Sequence, residues 1–222
     1  MQHMPIKALI FDLDGTLIDS APDLRTALNK LLAHYNRRDV SMNEVTQFVG
    51  NGAAKLIERA FKATGQEVDD NELDQLTNRF LGFYKGHEAD ETCLYDGVTD
   101  TLVELKKQGY RLALCTNKPQ APTENILQAL GLNDFFEVVL GGDQLETKKP
   151  NPDMLHWVLD QMKLTAENAI MVGDSPNDID AAKNANMRNI AVSYGYRKVS
   201  IEEMAADITI DRFPEILPLL DQ

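Results

Sequence analysis

Short, almost wholly apolar runs alternate with amphipathic stretches through most of this chain, and nearly every run stops at a polar residue or a glycine. Ala8-Leu9-Ile10-Phe11 ends at Asp12. Leu112-Ala113-Leu114-Cys115, Val138-Val139-Leu140, Ala169-Ile170-Met171-Val172 and Asn189-Ile190-Ala191-Val192 follow the same pattern, with Ile208-Thr209-Ile210 a weaker instance. A strand exposed on one face alternates apolar with polar residues; a strand covered on both faces has no polar side to show. These runs therefore read as interior strands of a parallel sheet. Residues 99–108, 121–130, 152–162 and 176–187 carry the amphipathic pattern of the helices that must cross between them.

Residues 18–90 break this rhythm, with helical patterns and no convincing strand. Ser20-Ala21-Pro22-Asp23 has the form of a capping box with proline in the first turn, followed by Leu24, Ala27, Leu28, Leu31, Leu32 and Tyr35 on one face. Ser41-Met42-Asn43-Glu44 is a second capping box, and its helix stops at Gly50-Asn51-Gly52. A third helix over 53–65 buries Leu56, Ile57, Ala60 and Phe61. A fourth carries Leu73, Leu76, Phe80, Phe83 and Tyr84, with acids in its first turn and Lys85 and His87 in its last. The pattern predicts an α/β fold: a doubly wound parallel-sheet (Rossmann-like) core over 1–17 and 91–222, interrupted by an all-helical insertion over 18–90.

Length and composition agree with this reading and narrow the partners. The chain has 222 residues, 43% of them hydrophobic, enough for a proper core with a modest insertion. Its formal net charge is −13, which disfavours nucleic acid and anionic membranes, since both reward basic surfaces. Cys93 and Cys115 suggest neither a disulfide framework nor a zinc site. No run has the length of a membrane span and no signal-peptide pattern opens the chain, so a cytoplasmic monomer or small homo-oligomer is expected.

In a parallel sheet, ligands gather at the carboxyl ends of the strands. Those ends here are Asp12-Leu13-Asp14-Gly15-Thr16, Thr116-Asn117 and Gly173-Asp174-Ser175, with Lys149-Pro150-Asn151-Pro152 before the helix that follows the third strand. Asp12 and Asp14 are two apart, so in extended chain their carboxylates project to one side. With Asp174 they make a hard, oxygen-rich site suited to Mg²⁺. Taken alone, Asp14-Gly15 also reads as a plain turn. Thr116 can offer a hydroxyl to a phosphoryl oxygen, or close an ST-turn. Lys149 is held extended by the following proline, with Asn151 capping the next helix and Pro152 at its first position, so its charge points where a phosphate would gather. Lys148 reads as its solvated neighbour. Asp178 stands where the third residue of a capping box on Ser175 would, with a further role near the metal also open.

These stretches resemble the four motifs of the haloacid dehalogenase superfamily. Phe11-Asp12-Leu13-Asp14-Gly15-Thr16-Leu17-Ile18-Asp19-Ser20 is similar to the first, Thr116-Asn117-Lys118-Pro119 to the second, Lys149-Pro150-x-Pro152 to the third, and Gly173-Asp174-Ser175-x-x-Asp178 with Ala181-Ala182 to the fourth. All four stand in family order, and the insertion lies where subfamily I members carry a helical cap. Thr116-Asn117-Lys118-Pro119 together with Val49-Gly50-Asn51-Gly52 looks most like phosphoglycolate phosphatases. The resemblance implies a magnesium-dependent phosphatase acting on a small anionic phosphate ester through an aspartyl-phosphate. In it Asp12 is the nucleophile and Asp14 the general acid and base. Asp12, the Asp14 carbonyl and Asp174 hold Mg²⁺, and Lys149, Thr116 and Asn117 bind the phosphoryl group. Ser175 and Asp178 support the site, and Gly50 and Gly52 meet the far end of the substrate.

Competing expectations are a sugar-phosphate phosphatase, a pyrophosphatase or a phosphomutase of the same superfamily. Further off stands a phospho-accepting signalling receiver, which would be shorter and uninterrupted. His3, His34, His87 and His156 show no metal spacing, and Cys115 reads as a core thiol. Lys55, Arg59 and Lys62 read as either a carboxylate lure or the solvated face of a helix.

Overall fold

The computed structural model describes residues 5–65 and 67–220; His3 lies outside them. The chain opens with β1 (Ala8–Phe11) and a two-residue strand β2 (Ile18–Asp19). It then passes through α1 (Ala21–His34), α2 (Met42–Phe48), α3 (Ala53–Thr64) and α4 (Asp70–Tyr84) and returns at β3 (Cys93–Leu94). Helices and strands alternate from there: α5 (Val98–Lys107), β4 (Arg111–Cys115), α6 (Gln120–Ala129), β5 (Val138–Leu140) and α7 (Asp153–Met162). β6 (Ala169–Gly173), α8 (Pro176–Asn184), β7 (Arg188–Val192), α9 (Ile201–Met204), β8 (Ile208–Ile210) and α10 (Leu217–Leu220) complete the chain.

The apolar runs are the strands of one six-stranded sheet, ordered β5-β4-β1-β6-β7-β8 and parallel throughout. β1 shows why the runs lack polar residues. Leu9 and Phe11 face one apolar cluster with Val98, Leu102, Ile126 and Phe213, while Ala8 and Ile10 face another with Met154, Leu155, Val158 and Ala182. Successive side chains leave a strand on opposite faces, and here both faces are packed. After β1 the chain builds outward to β4 and β5, then crosses back to β6, β7 and β8 on the other side. β1 is thus the switch point, and the crevice above its carboxyl end is where a ligand binds in such sheets.

The helical insertion carries its own apolar cluster, drawn from α1 to α4 and including Leu28, Leu31, Ile57, Phe61, Phe80 and Tyr84. One residue from beyond the insertion, Tyr196, joins it. The chain leaves and returns side by side, because β2 pairs antiparallel with β3, Ile18 opposite Leu94 and Asp19 opposite Cys93. Sequence reading saw no strand there; two residues are too short to show a period.

Three local expectations need correcting. The capping box at Ser20 does not form: the Ser20 hydroxyl donates to Asp14 Oδ1 at 2.6 Å, and the Asp23 carboxylate accepts the N–H groups of Glu91 and Thr92 and the Thr92 hydroxyl. Both side chains are taken by distant partners, and Asp23 ties the outgoing and returning linkers together. The box at Ser41 forms as expected. α4 ends at Tyr84, so Lys85 caps it and His87 stands beyond, paired with Asp90. Pro152 precedes α7 rather than opening it, although Asn151 Oδ1 does accept the N–H of Asp153, the first helical residue. His34, His87 and His156 are exposed, and no helix among the described residues is long and apolar enough to cross a membrane.

Candidate active site

The main-chain N–H of Asp12 continues the ladder onto β6, bonding the Val172 carbonyl at 2.9 Å, so the end of β1 is fixed before the chain turns. Gly15 makes the turn at φ +87, and its N–H returns to the Ile18 carbonyl. A Cβ there would also lie 2.2 Å from Asp174 Oδ2, so backbone angle and space both demand glycine.

Around Asp12 the structure gathers three buried acids and one lysine. Asp12, Asp174 and Asp178 each bring a carboxylate oxygen within 4.8 Å of the others. Lys149 Nζ stands 3.0 Å from Asp12 Oδ1, but its hydrogen bonds go to Asp178 Oδ1 and the Cys115 carbonyl, both at 2.6 Å. Asp12 Oδ1 is therefore near a cation yet buried without a hydrogen bond. Burial, then the charge of Asp178, pushes the Asp12 carboxyl up to about 6, with Lys149 pulling the other way. Burial together with Asp178 and Asp12 holds Asp174 above its ordinary range. For Lys149, burial favours the neutral amine, but Asp12 and Asp178 more than reverse this and keep it charged.

Three carboxylates against one ammonium leave an excess of negative charge, which a divalent cation would balance. Asp178 is not free to ligate: Oδ1 takes Lys149, and Oδ2 takes the N–H and hydroxyl of Ser175. It is the capping residue, as one reading expected, and it also anchors Lys149. Asp12, with its unsatisfied oxygen, and Asp174, with one oxygen engaged by the Tyr196 N–H, are the carboxylates a hard cation could take. The Asp14 carboxylate does not join this group. It accepts from the Ser20 hydroxyl at 2.6 Å and from Lys118 Nζ at 3.2 Å.

Thr116 closes an ST-turn, its hydroxyl oxygen accepting the Lys118 N–H at 3.2 Å, and the hydroxyl proton remains available to a ligand. Asn117 is committed to the protein. Its Oδ1 takes the Lys149 N–H, and its Nδ2 donates to the carbonyls of Lys149 and Gly50, all at 3.0 Å. It holds the lysine loop and docks the Gly50-Asn51-Gly52 loop at once. The Gly50 carbonyl takes a second amide from Asn177, again at 3.0 Å, and Asn51 Nδ2 reaches Asn177 Oδ1 at 3.2 Å. Arg59 turns back to the same loop, bonding the Phe48 carbonyl and Asn51 Oδ1, whereas Lys55 pairs with Glu58 and Lys62 with Glu67 at the surface. Cys115 is a core thiol, pushed up to about 12 by burial.

Between insertion and core lies a cavity of about 40 Å³ that Asp12, Asp14, Thr116 and Lys118 border from below and Tyr84, Gly50 and Gly52 from above. Sequence reading missed Ser20, Tyr84, Asn177 and Tyr196. Asn177 and Tyr196 follow the ends of β6 and β7, so the strand-end rule could have flagged both.

The sequence pattern of the family described as haloacid dehalogenase-like hydrolase matches residues 9–192. A phosphoglycolate phosphatase of Colwellia psychrerythraea is 42% identical to this chain, with 95% of each protein covered. The crystal structure of a predicted phosphoglycolate phosphatase from Haemophilus somnus superposes with a TM-score of 0.91 at 35% identity, covering 96% of this chain and 97% of that one. A mutant CbbY of Rhodobacter sphaeroides, solved in complex with xylulose-(1,5)bisphosphate, superposes at 0.78 with 26% identity, covering 95% and 96%. With the family pattern spanning most of the chain and a relative this similar along nearly its whole length, the protein belongs to the haloacid dehalogenase-like hydrolases.

Proposed function

We infer that this protein is a magnesium-dependent phosphatase of small anionic phosphate monoesters, with 2-phosphoglycolate as its substrate. The observation that carries the chemistry is Asp12: a buried carboxylate with one oxygen unsatisfied, facing the cavity beside Lys149 and Asp174. Asp12 attacks phosphorus in line, forming a phosphoryl-aspartate as the ester oxygen leaves. Asp14, placed by Ser20, gives a proton to that oxygen and then takes one from the water that hydrolyses the intermediate. Lys149, locked by Asp178 and the Cys115 carbonyl, and the Thr116 hydroxyl stabilise the equatorial oxygens, where charge builds. A magnesium ion held by Asp12, the Asp14 carbonyl and Asp174 would draw charge off the phosphoryl group. The helices of residues 18–90 act as a cap that closes over the substrate through the Gly50 carbonyl, excluding bulk water.

The substrate assignment draws on the relatives that bear the name phosphoglycolate phosphatase and on the cavity walls. Leu24, Val49, Leu56, Phe80, Pro119 and Pro122 make much of that wall apolar, so beyond the phosphoryl end a sugar's hydroxyls would meet few polar side chains, chiefly Lys118 and Tyr84. Sugar phosphates are the competing reading, since a relative binds xylulose bisphosphate. Comparing kcat/KM for 2-phosphoglycolate with that for hexose and pentose phosphates decides between them. A tenfold preference for a sugar phosphate, about 1.4 kcal/mol, would overturn the substrate and leave the hydrolytic mechanism standing.

A further inference from the structure

Lys118 is the one charged side chain bordering the cavity whose place the catalytic scheme does not explain. Of the residues that line that space, it alone is cationic; Asp12 and Asp14 are its only charged companions. Its side chain is 4% exposed, and its ammonium lies 3.2 Å from Asp14 Oδ1 and 3.0 Å from the Tyr84 hydroxyl, over the Tyr84 ring. Burial opposes the charge, but Asp14 and Tyr84 outweigh it and keep the amine protonated. Lys118 comes from the loop after β4, whereas Tyr84 ends α4 in the insertion, so this contact crosses the closing seam.

A buried cation on flexible methylenes, among leucines, phenylalanine and prolines, is stable only while an anion faces it. Here that anion is Asp14. We propose that Lys118 and the Tyr84 hydroxyl form the subsite for a carboxylate on the substrate's leaving group. The ammonium has three N–H bonds, of which the Tyr84 hydroxyl oxygen accepts one, and the phenol, pushed up to about 12 chiefly by burial, keeps a proton to donate beside it. A carboxylate bridging them would join core to insertion and stabilise the closed state, whereas a neutral tail would face an apolar wall and leave Lys118 on Asp14. Selectivity would then come from a charge-assisted contact made only when the cap is shut.

This proposal rests on the phosphatase reading above and sharpens its substrate. The test is a two-by-two comparison: wild type and Lys118→Met, each assayed with 2-phosphoglycolate and with ethyl phosphate, which has the same length and no carboxylate. Lys118→Met should lower kcat/KM for 2-phosphoglycolate at least a hundredfold and for ethyl phosphate less than fivefold. Equal losses on both substrates would overturn the proposal and make Lys118 a support for Asp14 alone. A wild type that hydrolyses both esters equally well would remove the assigned substrate and the subsite together. A wild type that prefers 2-phosphoglycolate, with the preference retained in Lys118→Met, would leave the substrate standing and remove Lys118 from its recognition. Tyr84→Phe provides the same comparison in a milder variant should Lys118→Met not fold. It is expected to raise KM about fivefold for 2-phosphoglycolate only, and an unchanged KM would exclude the hydroxyl.

Discussion

The main-chain N–H of Tyr196 donates to Oδ2 of Asp174 at 2.6 Å, and the chain can pass that close only because residue 195 is glycine. A Cβ at Gly195 would stand 2.3 Å from the Asp174 Cβ and equally near the Gly15 carbonyl oxygen. At its other end Tyr196 sends its hydroxyl to Asp19 Oδ1 at 2.5 Å and accepts the Ala21 N–H at 2.9 Å, where the chain enters the insertion. One residue thus sets the orientation of a proposed metal ligand and braces the linker. Gly195→Ala should displace this strap and weaken magnesium binding, measured by calorimetry, by at least tenfold while the fold persists; that is within the range expected for loss of an outer-shell partner. Unchanged affinity would mean that Asp174 needs no such positioning.

Asp14→Asn should lower turnover of alkyl phosphates by about 10²–10⁴-fold, the usual scale of general acid–base catalysis. Ser20 and Lys118 can still bond an amide oxygen at this position, so the geometry should survive. The deficit should shrink for aryl phosphates, whose leaving groups need little protonation. Equal deficits on both classes would assign Asp14 to folding or metal binding.

Residues that announce themselves locally were legible in the sequence, and the contacts that residues make across the seam were not. Leu9 and Phe11 on one face of β1, with Ala8 and Ile10 on the other, are buried alike, and so the strand reads as an unbroken apolar run. Asp12, Asp174 and Lys149 follow from standing at strand ends and a helix entrance. Ser20 and Asp23 misled because a capping box is a local pattern, whereas their partners lie at Asp14 and at Glu91 and Thr92. Lys118 with Tyr84, and Tyr196 with Asp19, join parts of the chain whose separation carries no periodic signal.

Metal and proton should compete at Asp12. In the metal-free folded protein its carboxyl is pushed up to about 6, from an ordinary 3.8. Between those values the folded state holds a proton that the unfolded chain has released. This group's stabilising contribution is therefore full below the ordinary value and is lost as pH rises through about 6. Magnesium needs the deprotonated carboxylate. Adding it should raise Tm little at about pH 5 and substantially at about pH 7.5. A shift of equal size at both would remove Asp12 from the metal site.

The Gly50 carbonyl is held by two amides, Asn117 and Asn177, each at 3.0 Å, and the difference between them separates closure from chemistry. Among the described residues the side-chain hydrogen bonds of Asn177 go to the insertion loop, to Gly50 and Asn51, so its loss should loosen the closed state first. Asn177→Ala is expected to raise KM about tenfold with kcat changed less than threefold, the pattern of lost uniform binding. Asn117 also brackets the backbone of Lys149 on both sides, at its N–H and its carbonyl. Asn117→Ala should therefore lower kcat as well, by at least tenfold, because the ammonium beside Asp12 loses its fixed position. The two variants measured side by side with 2-phosphoglycolate give the answer. If Asn177→Ala lowers kcat as much as Asn117→Ala does, closure and the placing of Lys149 are a single event, and Asn117 has no role apart from holding the loop.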